Sequence, residues 1–389
     1  MSGAGRLRAL FVNSGLLGHA TLARLMPEAL AADPGIEAVH VLLSDPLSTP
    51  ERVVRRLLCA GPPGGTALAA ALLARFRREL HIGLLAARRI AALERRGERF
   101  DVLHFHTQAA AWASVRRMRR TPAIVSLDAT QALAAREAAG ALGRLDHAPG
   151  AARDRAVFRA AAAIVATSRW AADDLARGLP EAAGRVHVLH FPVRLAGFDP
   201  GWARERARRA GGGPVRVLFM GGDFPRKGGW ELLQAWRRGG LAASARLTLA
   251  TDWRLDEGAL PEGVAVRRGV AAYTPAWYAL WREADLFAMP TRGEAFGIVF
   301  QEAAAAGLPV VATRINAVPE IVRDGVDGVL VDPGDVDALA AALGSLVTDP
   351  ERRLAMGLSA RRRVEDDSVE RYGQRLAALV REVAGRGTR

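Results

Sequence analysis

VRVLFMGGDFPRKGGWELLQAWRR, residues 215–238, runs from a short apolar segment through a glycine-rich turn into a helical pattern. VRVLFM has the length and branched apolar character of a strand buried on both faces, and ELLQAWRR repeats its apolar positions at helical spacing. Strand, turn and helix in that order form the unit from which parallel α/β sheets are assembled.

The same alternation extends along the chain in both directions. Strands are expected near 7–12, 38–43, 101–105, 122–127, 163–167 and 186–190, then near 215–220, 246–250, 264–267, 285–289, 309–312 and 329–331. A length of 389 residues suits two domains of roughly equal size. The expectation is an α/β protein with two doubly wound, Rossmann-like domains, 1–195 and 196–389, facing across a cleft. The last helix is free to return to the first domain. Ligands then sit at the carboxyl ends of the strands. The stretch between Phe191 and Pro214, with its prolines, its arginine run at 204–209 and Gly211-Gly212-Gly213, is expected as boundary material.

The turn after the strand at 215–220 carries the first chemistry. Gly221 and Gly222 let backbone approach a ligand, and the helix start near Gly228 presents free amides and a positive dipole end. Arg226 and Lys227 add two cations there, which suits a diphosphate. Lys227 is the sole lysine beside 53 arginines, the remainder of the 54 basic residues. A compact ammonium on a flexible stem acts as a point charge on phosphate in a way that a planar guanidinium does not. The spacing matches neither the dinucleotide fingerprint nor the Walker loop.

The second constellation is PTRGEAFGIVFQE, 290–302. Glu294 falls in a loop after a strand and Glu302 inside a helix that runs from near Gly297 to Gly307. Carboxylates accept hydrogen bonds from vicinal sugar hydroxyls, and loop amides around Ala295, Phe296, Gly297 and Ile298 suit phosphate oxygens. In the first half, Gly15, Gly18 and His19 follow the first strand, while His106 and Asp128 end two others. His104 alternates with His106, which leaves a packing or a catalytic role open to each. Ser168 is placed to cap a helix.

Composition narrows the function classes. One cysteine, Cys59, excludes an intramolecular disulfide and fits a reducing, cytoplasmic setting. The N-terminal apolar run is too short for a signal peptide, and the sequence lacks an uninterrupted apolar run of the ~18 residues expected of a spanning helix. A net charge of +13 comes from dispersed arginines without a nucleic-acid-binding signature, so no nucleic-acid partner is expected. The basic, alanine- and leucine-rich region 66–96 is either a crossover helix or a peripheral contact with an anionic membrane at its inner face.

From these residues the chain resembles family 4 of the glycosyltransferases, retaining enzymes of the GT-B fold. The likeness covers essentially the whole chain and is most specific from Val215 to Pro333, through GGDFPRKGG, the Glu-x7-Glu motif of Glu294 and Glu302, and VPEIVRDGVDGVLVDPGD at 318–335. FDVLHFHT at 100–107 and AAAIVATSRWAADDL at 161–175 extend it into the first half. The resemblance implies that Glu302 holds the nucleotide ribose and Glu294 the transferred sugar. Arg226 and Lys227 then neutralise the leaving diphosphate, and no metal or other cofactor takes part. Asp128 stands where many relatives have a histidine near the sugar, Gly221-Gly222 where many have Gly-Arg, and Asn316-Ala317 in place of paired glycines. The implied partners are a nucleotide sugar, UDP- or GDP-linked, and a glycan, lipid or small-molecule acceptor. A sugar-nucleotide epimerase and a non-catalytic nucleotide-sugar-binding module are the competing readings.

Overall fold

The computed structural model describes residues 6–15, 19–59, 74–137, 140–209 and 211–386. The chain forms two compact units. One runs up to Pro192 and includes the last helix from Val369; the other is Val193–Ser368.

In the first unit the strands are β1 (Leu7–Asn13), β2 (Ile36–Leu42), β3 (Val102–Phe105), β4 (Ala123–Leu127), β5 (Ala163–Ala166) and β6 (Val186–Val188). They lie in the order β2-β1-β3-β4-β5-β6, all parallel. In the second, β7 (Val215–Met220), β8 (Ala245–Ala250), β9 (Val264–Arg267), β10 (Leu286–Met289), β11 (Val310–Thr313) and β12 (Gly328–Val331) form a parallel sheet in the order β12-β11-β10-β7-β8-β9. Each strand overlaps a segment expected from sequence. The match has a simple cause: parallel strands covered on both faces are mainly apolar, so the central strands are short apolar runs such as VLHF, AIVA, LFAM and VVAT. The outer strands β2 and β9 are less buried and admit Glu37, His40 and Arg267.

Each sheet reverses its winding once, between β1 and β3 and between β7 and β10. These are the points where crossover helices part to opposite faces and leave a crevice at the carboxyl edge. Val217 pairs with Leu286 and Leu218 with Phe287. Continuing that register brings Met220 level with Met289, so the two turns singled out in the sequence leave the sheet side by side.

The stretch 193–214 is more than a linker. Val193 N–H donates to the Asp367 carbonyl at 2.9 Å, and Trp202–Arg209 is a helix. Phe198 is buried with its ring 5.6 Å from Trp277 and 5.8 Å from Trp202. The Phe198–Trp277 contact attaches the segment to the rest of the second unit. The division therefore lies between Pro192 and Val193, where the sequence placed it after residue 195.

The last helix, Val369–Arg386, buries Tyr372, Leu376, Val380 and Val383 in the first unit, and its Arg381 pairs with Asp33. Of the basic region 66–96, residues 66–73 lie outside the described residues. Ala74–Arg95 is a helix that buries His81, Leu85, Ala86 and Ile90. No described helix is long and apolar enough to cross a membrane.

Candidate functional site

In the second unit, the turns after β7 and β10 are tied together by backbone as much as by charge. Gly228 has φ +76° and precedes the helix Gly229–Arg238. A Cβ there would lie 1.9 Å from the Pro290 carbonyl oxygen, so only glycine lets the two turns close up. Arg292 N–H donates to the Arg226 carbonyl at 2.8 Å, and the Thr291 hydroxyl donates to the same oxygen at 3.2 Å.

Side chains complete the junction. Arg226 Nη1 donates to the Gly293 carbonyl at 2.5 Å, while its Nε pairs with Asp223 at 2.8 Å. Lys227 Nζ pairs directly with the Glu294 carboxylate, and the two side chains are only 15% and 13% exposed. Gly221 leaves room for the lysine stem, since a Cβ there would sit 3.1 Å from Lys227 Cγ. Gly222 faces open space. Arg292 pairs with buried Glu231, which the sequence reading did not single out. Three of the expected donor residues, Arg226, Lys227 and Glu294, thus meet at the switch point of the sheet.

Gly297, at φ +92°, precedes the helix Ile298–Ala305. A Cβ at this position would fall 2.6 Å from the Phe300 ring and 3.1 Å from Glu294 Cγ. The first amides of any helix lack intrahelical acceptors. Here they begin beside the Lys227–Glu294 pair, with buried Phe296 anchoring the loop and Ala295 half-buried. Glu302 lies further along the same helix and is buried. Burial pushes its carboxyl up to about 7 from the usual 4.5.

Sequence reasoning missed Tyr273. Its hydroxyl donates to Glu302 Oε1 at 3.4 Å. Trp277 lies 4.9 Å away, and the Arg194 guanidinium sits 5.3 Å over the tyrosine ring. Tyr273 has φ +65°, unusual for a residue with a Cβ. It immediately precedes the Thr274 cap and Pro275, which start the helix Pro275–Glu283. The Thr-Pro helix start was a visible signal; nothing local showed that the residue before it meets Glu302.

In the first unit, the strand ends place the remaining candidates on the carboxyl edge. His106 follows β3, is buried, donates its backbone N–H to the Val12 carbonyl at 3.0 Å, and has Phe191 6.0 Å from its ring. His104 is held in packing. It is fully buried, its Nε2 lies 2.9 Å from Ser126 Oγ, and burial lowers its pKa to about 3, so the ring is neutral. Asp128 follows β4, half-buried, and accepts the Ala129 N–H at 2.9 Å. Gly15 is left-handed beside Ser44, and His19 opens the helix His19–Ala31. Gly18 lies outside the described residues. Ser168 caps its helix by accepting the Ala171 N–H at 3.1 Å.

Comparison with known proteins gives this geometry a family. Residues 20–196 match the model of Glycosyltransferase Family 4, and residues 214–349 match that of Glycosyl transferases group 1. D-inositol 3-phosphate glycosyltransferase 1 of Catenulispora acidiphila is 31% identical over 320 residues, 74% of each chain. The GDP-mannose-dependent alpha-(1-6)-phosphatidylinositol monomannoside mannosyltransferase of Mycolicibacterium smegmatis is 46% identical over 128 residues, 31% of this chain and 33% of that protein. The chain spans about half the length, or less, of several other curated relatives it matches. Sucrose-phosphate synthase of Thermosynechococcus elongatus superposes with a TM-score of 0.72 at 20% identity, over 97% of this chain and 99% of that one. The chain belongs to glycosyltransferase family 4 and has the GT-B fold of two parallel α/β sheets.

Proposed function

We propose that the protein is a retaining, metal-independent glycosyltransferase that moves a sugar from a UDP- or GDP-linked donor to a hydroxyl of a glycan, lipid or small-molecule acceptor. The observation that carries this reading is the Lys227–Glu294 pair beside Arg226 at the β7/β10 switch point. The second unit is the donor-binding domain in this reading: Glu302 takes the ribose, and Arg226, Lys227 and the amides from Phe296 to Ile298 take the diphosphate. Glu294 takes the transferred sugar. The first unit supplies the acceptor side through Gly15, Gly18, His19, His106 and Asp128. The site of action in this reading is cytoplasmic.

In the reaction, the bond from the anomeric carbon to the diphosphate breaks, and the acceptor oxygen bonds to that carbon on the same face. The acceptor proton passes to a phosphate oxygen of the leaving group. Charge builds on the diphosphate as the bond breaks, so the main task of the protein is to meet that charge with fixed donors. Each well-placed donor of this kind is worth ~3–4 kcal/mol. The Lys227–Glu294 pair is suited to this work. Donor binding inserts a phosphate against the ammonium and a sugar hydroxyl against the carboxylate, which exchanges one internal ion pair for two ligand contacts.

Two measurements test this directly. Proton NMR of the first-formed product should show the anomeric configuration of the donor, and the rate should be unchanged after treatment with EDTA. Inversion of the anomeric centre, or a strict need for added Mg²⁺ or Mn²⁺, overturns the respective part of the reading.

Burial of Glu302 gives a pH dependence with a definite sign. A carboxyl raised from 4.5 to about 7 favours the folded chain at low pH, and that contribution is lost as the pH climbs through 7. Nucleotide binding has the opposite sign, because ribose hydroxyls are best accepted by the ionised carboxylate. Nucleoside-diphosphate affinity should therefore rise by up to ~10-fold per pH unit below 7 and level off above it, with proton release on binding. Calorimetry in buffers of differing ionisation enthalpy reads that release. Glu302→Gln should remove it, and an unaltered pH profile in that variant rejects the ribose assignment.

A further inference from the structure

The second unit has a cavity of about 480 Å³ at the opposite edge of its sheet from Lys227. It is bordered by the amino ends of β7 and β8 and the approaches to β10 and β11. Five arginines line it, Arg206, Arg209, Arg216, Arg246 and Arg353, against one carboxylate, Asp285. The glycines 211–213 form part of its rim, and a Cβ at Gly213 would meet nothing within 4 Å, so the mouth is unobstructed there.

Two of these arginines have a structural task. Arg206 is buried and donates to the carbonyls of Trp281, Ala284 and Ala306 at 2.9, 2.7 and 2.7 Å, where two helices end. Arg353 donates to the carbonyls of Leu346 and Val347 at 2.5 and 2.9 Å. Carbonyl dipoles satisfy these donors but leave the full positive charges in place. Arg209 and Arg216 share Asp285: Arg209 Nη2 lies 2.9 Å from one oxygen and Arg216 Nε 3.8 Å from the other. Arg209 Nε is buried without a hydrogen-bond partner among the described residues. Arg246 is exposed and donates to the carbonyls of Ala242 and Ala245, with no carboxylate partner among the described residues. Even with Arg206 and Arg353 set aside, three guanidiniums face one carboxylate.

Such an imbalance is costly in a concave, partly dehydrated site. Burial lowers Arg206 to about 10 and also lowers Arg353. An anion with several oxygens would offset the imbalance, and planar guanidinium forks match phosphate oxygens in geometry as well as charge. The volume falls within the roughly 300–1,000 Å³ of small-molecule sites. A concave pocket, as opposed to a long basic stripe, selects a compact ligand over a polymer.

We propose that this pocket binds a small, soluble, multiply charged phosphate compound, at a site separate from the sugar-nucleotide site. Arg209 and Arg246 supply its free donors, and Asp285 holds Arg209 and Arg216 in position. The proposal is independent of the reading of the Lys227 site. Arg246 is exposed and outside both the core and the donor machinery, so Arg246→Glu is compatible with the fold and reverses charge at the mouth.

The test uses inorganic pyrophosphate and calorimetry on the full chain. In a Lys227→Ala background, which weakens the other phosphate site, pyrophosphate should still bind, and adding Arg246→Glu should weaken it by at least ~10-fold. Arg209→Gln in the same background should act in the same direction. With Lys227 intact, Arg246→Glu should leave nucleoside-diphosphate affinity within ~2-fold of wild type, as expected of well-separated sites. Loss of all pyrophosphate binding on Lys227→Ala alone overturns the proposal, as does binding indifferent to Arg246→Glu. Equal loss of pyrophosphate and nucleoside diphosphate in Arg246→Glu does so too, because it would mean a single site or a general charge effect.

Discussion

Lys227→Ala is expected to lower kcat/KM for sugar transfer by at least ~100-fold, the loss of one preorganised cation at the leaving group. The ammonium is the only lysine charge in the chain and is largely enclosed with Glu294. Its stem passes Gly221 with little room to spare. Lys227→Arg should for that reason rescue poorly: a guanidinium on the same path is larger and directs its charge through a planar fork. Steady-state kinetics with a turned-over donor checks both variants, and near-wild-type values for Lys227→Ala would remove Lys227 from the mechanism. Nucleoside-diphosphate binding measured beside the kinetics separates lost chemistry from lost folding.

Glu302→Ala and Glu294→Ala should fail in different ways. Glu302 is buried within the helix Ile298–Ala305, with Tyr273 against one oxygen. If it carries the ribose, alanine should weaken free nucleoside diphosphate and intact donor alike, by ~1.5–3 kcal/mol for a hydrogen bond to a charged group. Glu294 is positioned differently, in the loop and paired with Lys227. Glu294→Ala removes the sugar contact and also releases the lysine. Turnover should collapse while nucleoside-diphosphate affinity stays level or improves, because the ammonium no longer has an internal carboxylate competing with phosphate. Calorimetry on the two variants distinguishes them. Equal losses of diphosphate affinity would show that the two carboxylates do not divide ribose and sugar in this way.

Much of this site was legible because its signals are local. Gly221, Gly228 and Gly297 mark turns, and the Arg226-Lys227 pair and the Glu294…Glu302 spacing lie within single strand–turn–helix units. Tyr273 was not legible. Its relation to Glu302 spans 29 positions and depends on how the chain after β9 turns into a Thr-Pro helix start. Nor did alternation along β3 decide between His104 and His106. The contact of His104 with Ser126 on the neighbouring strand gives that ring a packing environment that no local pattern shows.

The sequence by itself determined the two parallel sheets, the place of each strand and the glycine-rich turns that carry Arg226, Lys227 and Glu294, since apolar runs, glycine turns and charges at strand ends are properties of neighbouring residues. Tertiary structure alone decided the rest. Trp202–Arg209 looked like arginine-rich boundary material, yet Trp202 is buried with its ring against Phe198, which packs on the distant Trp277, and Arg206 closes two helix ends. The pairing of Lys227 with Glu294, 67 positions away, follows from β7 and β10 being neighbours in the sheet although two strands separate them along the chain. The physical reason is the same in each case. A periodic pattern reports which face of an element is buried, but the partner that covers it, and the charge that meets it across a turn, are set by the order in which strands assemble.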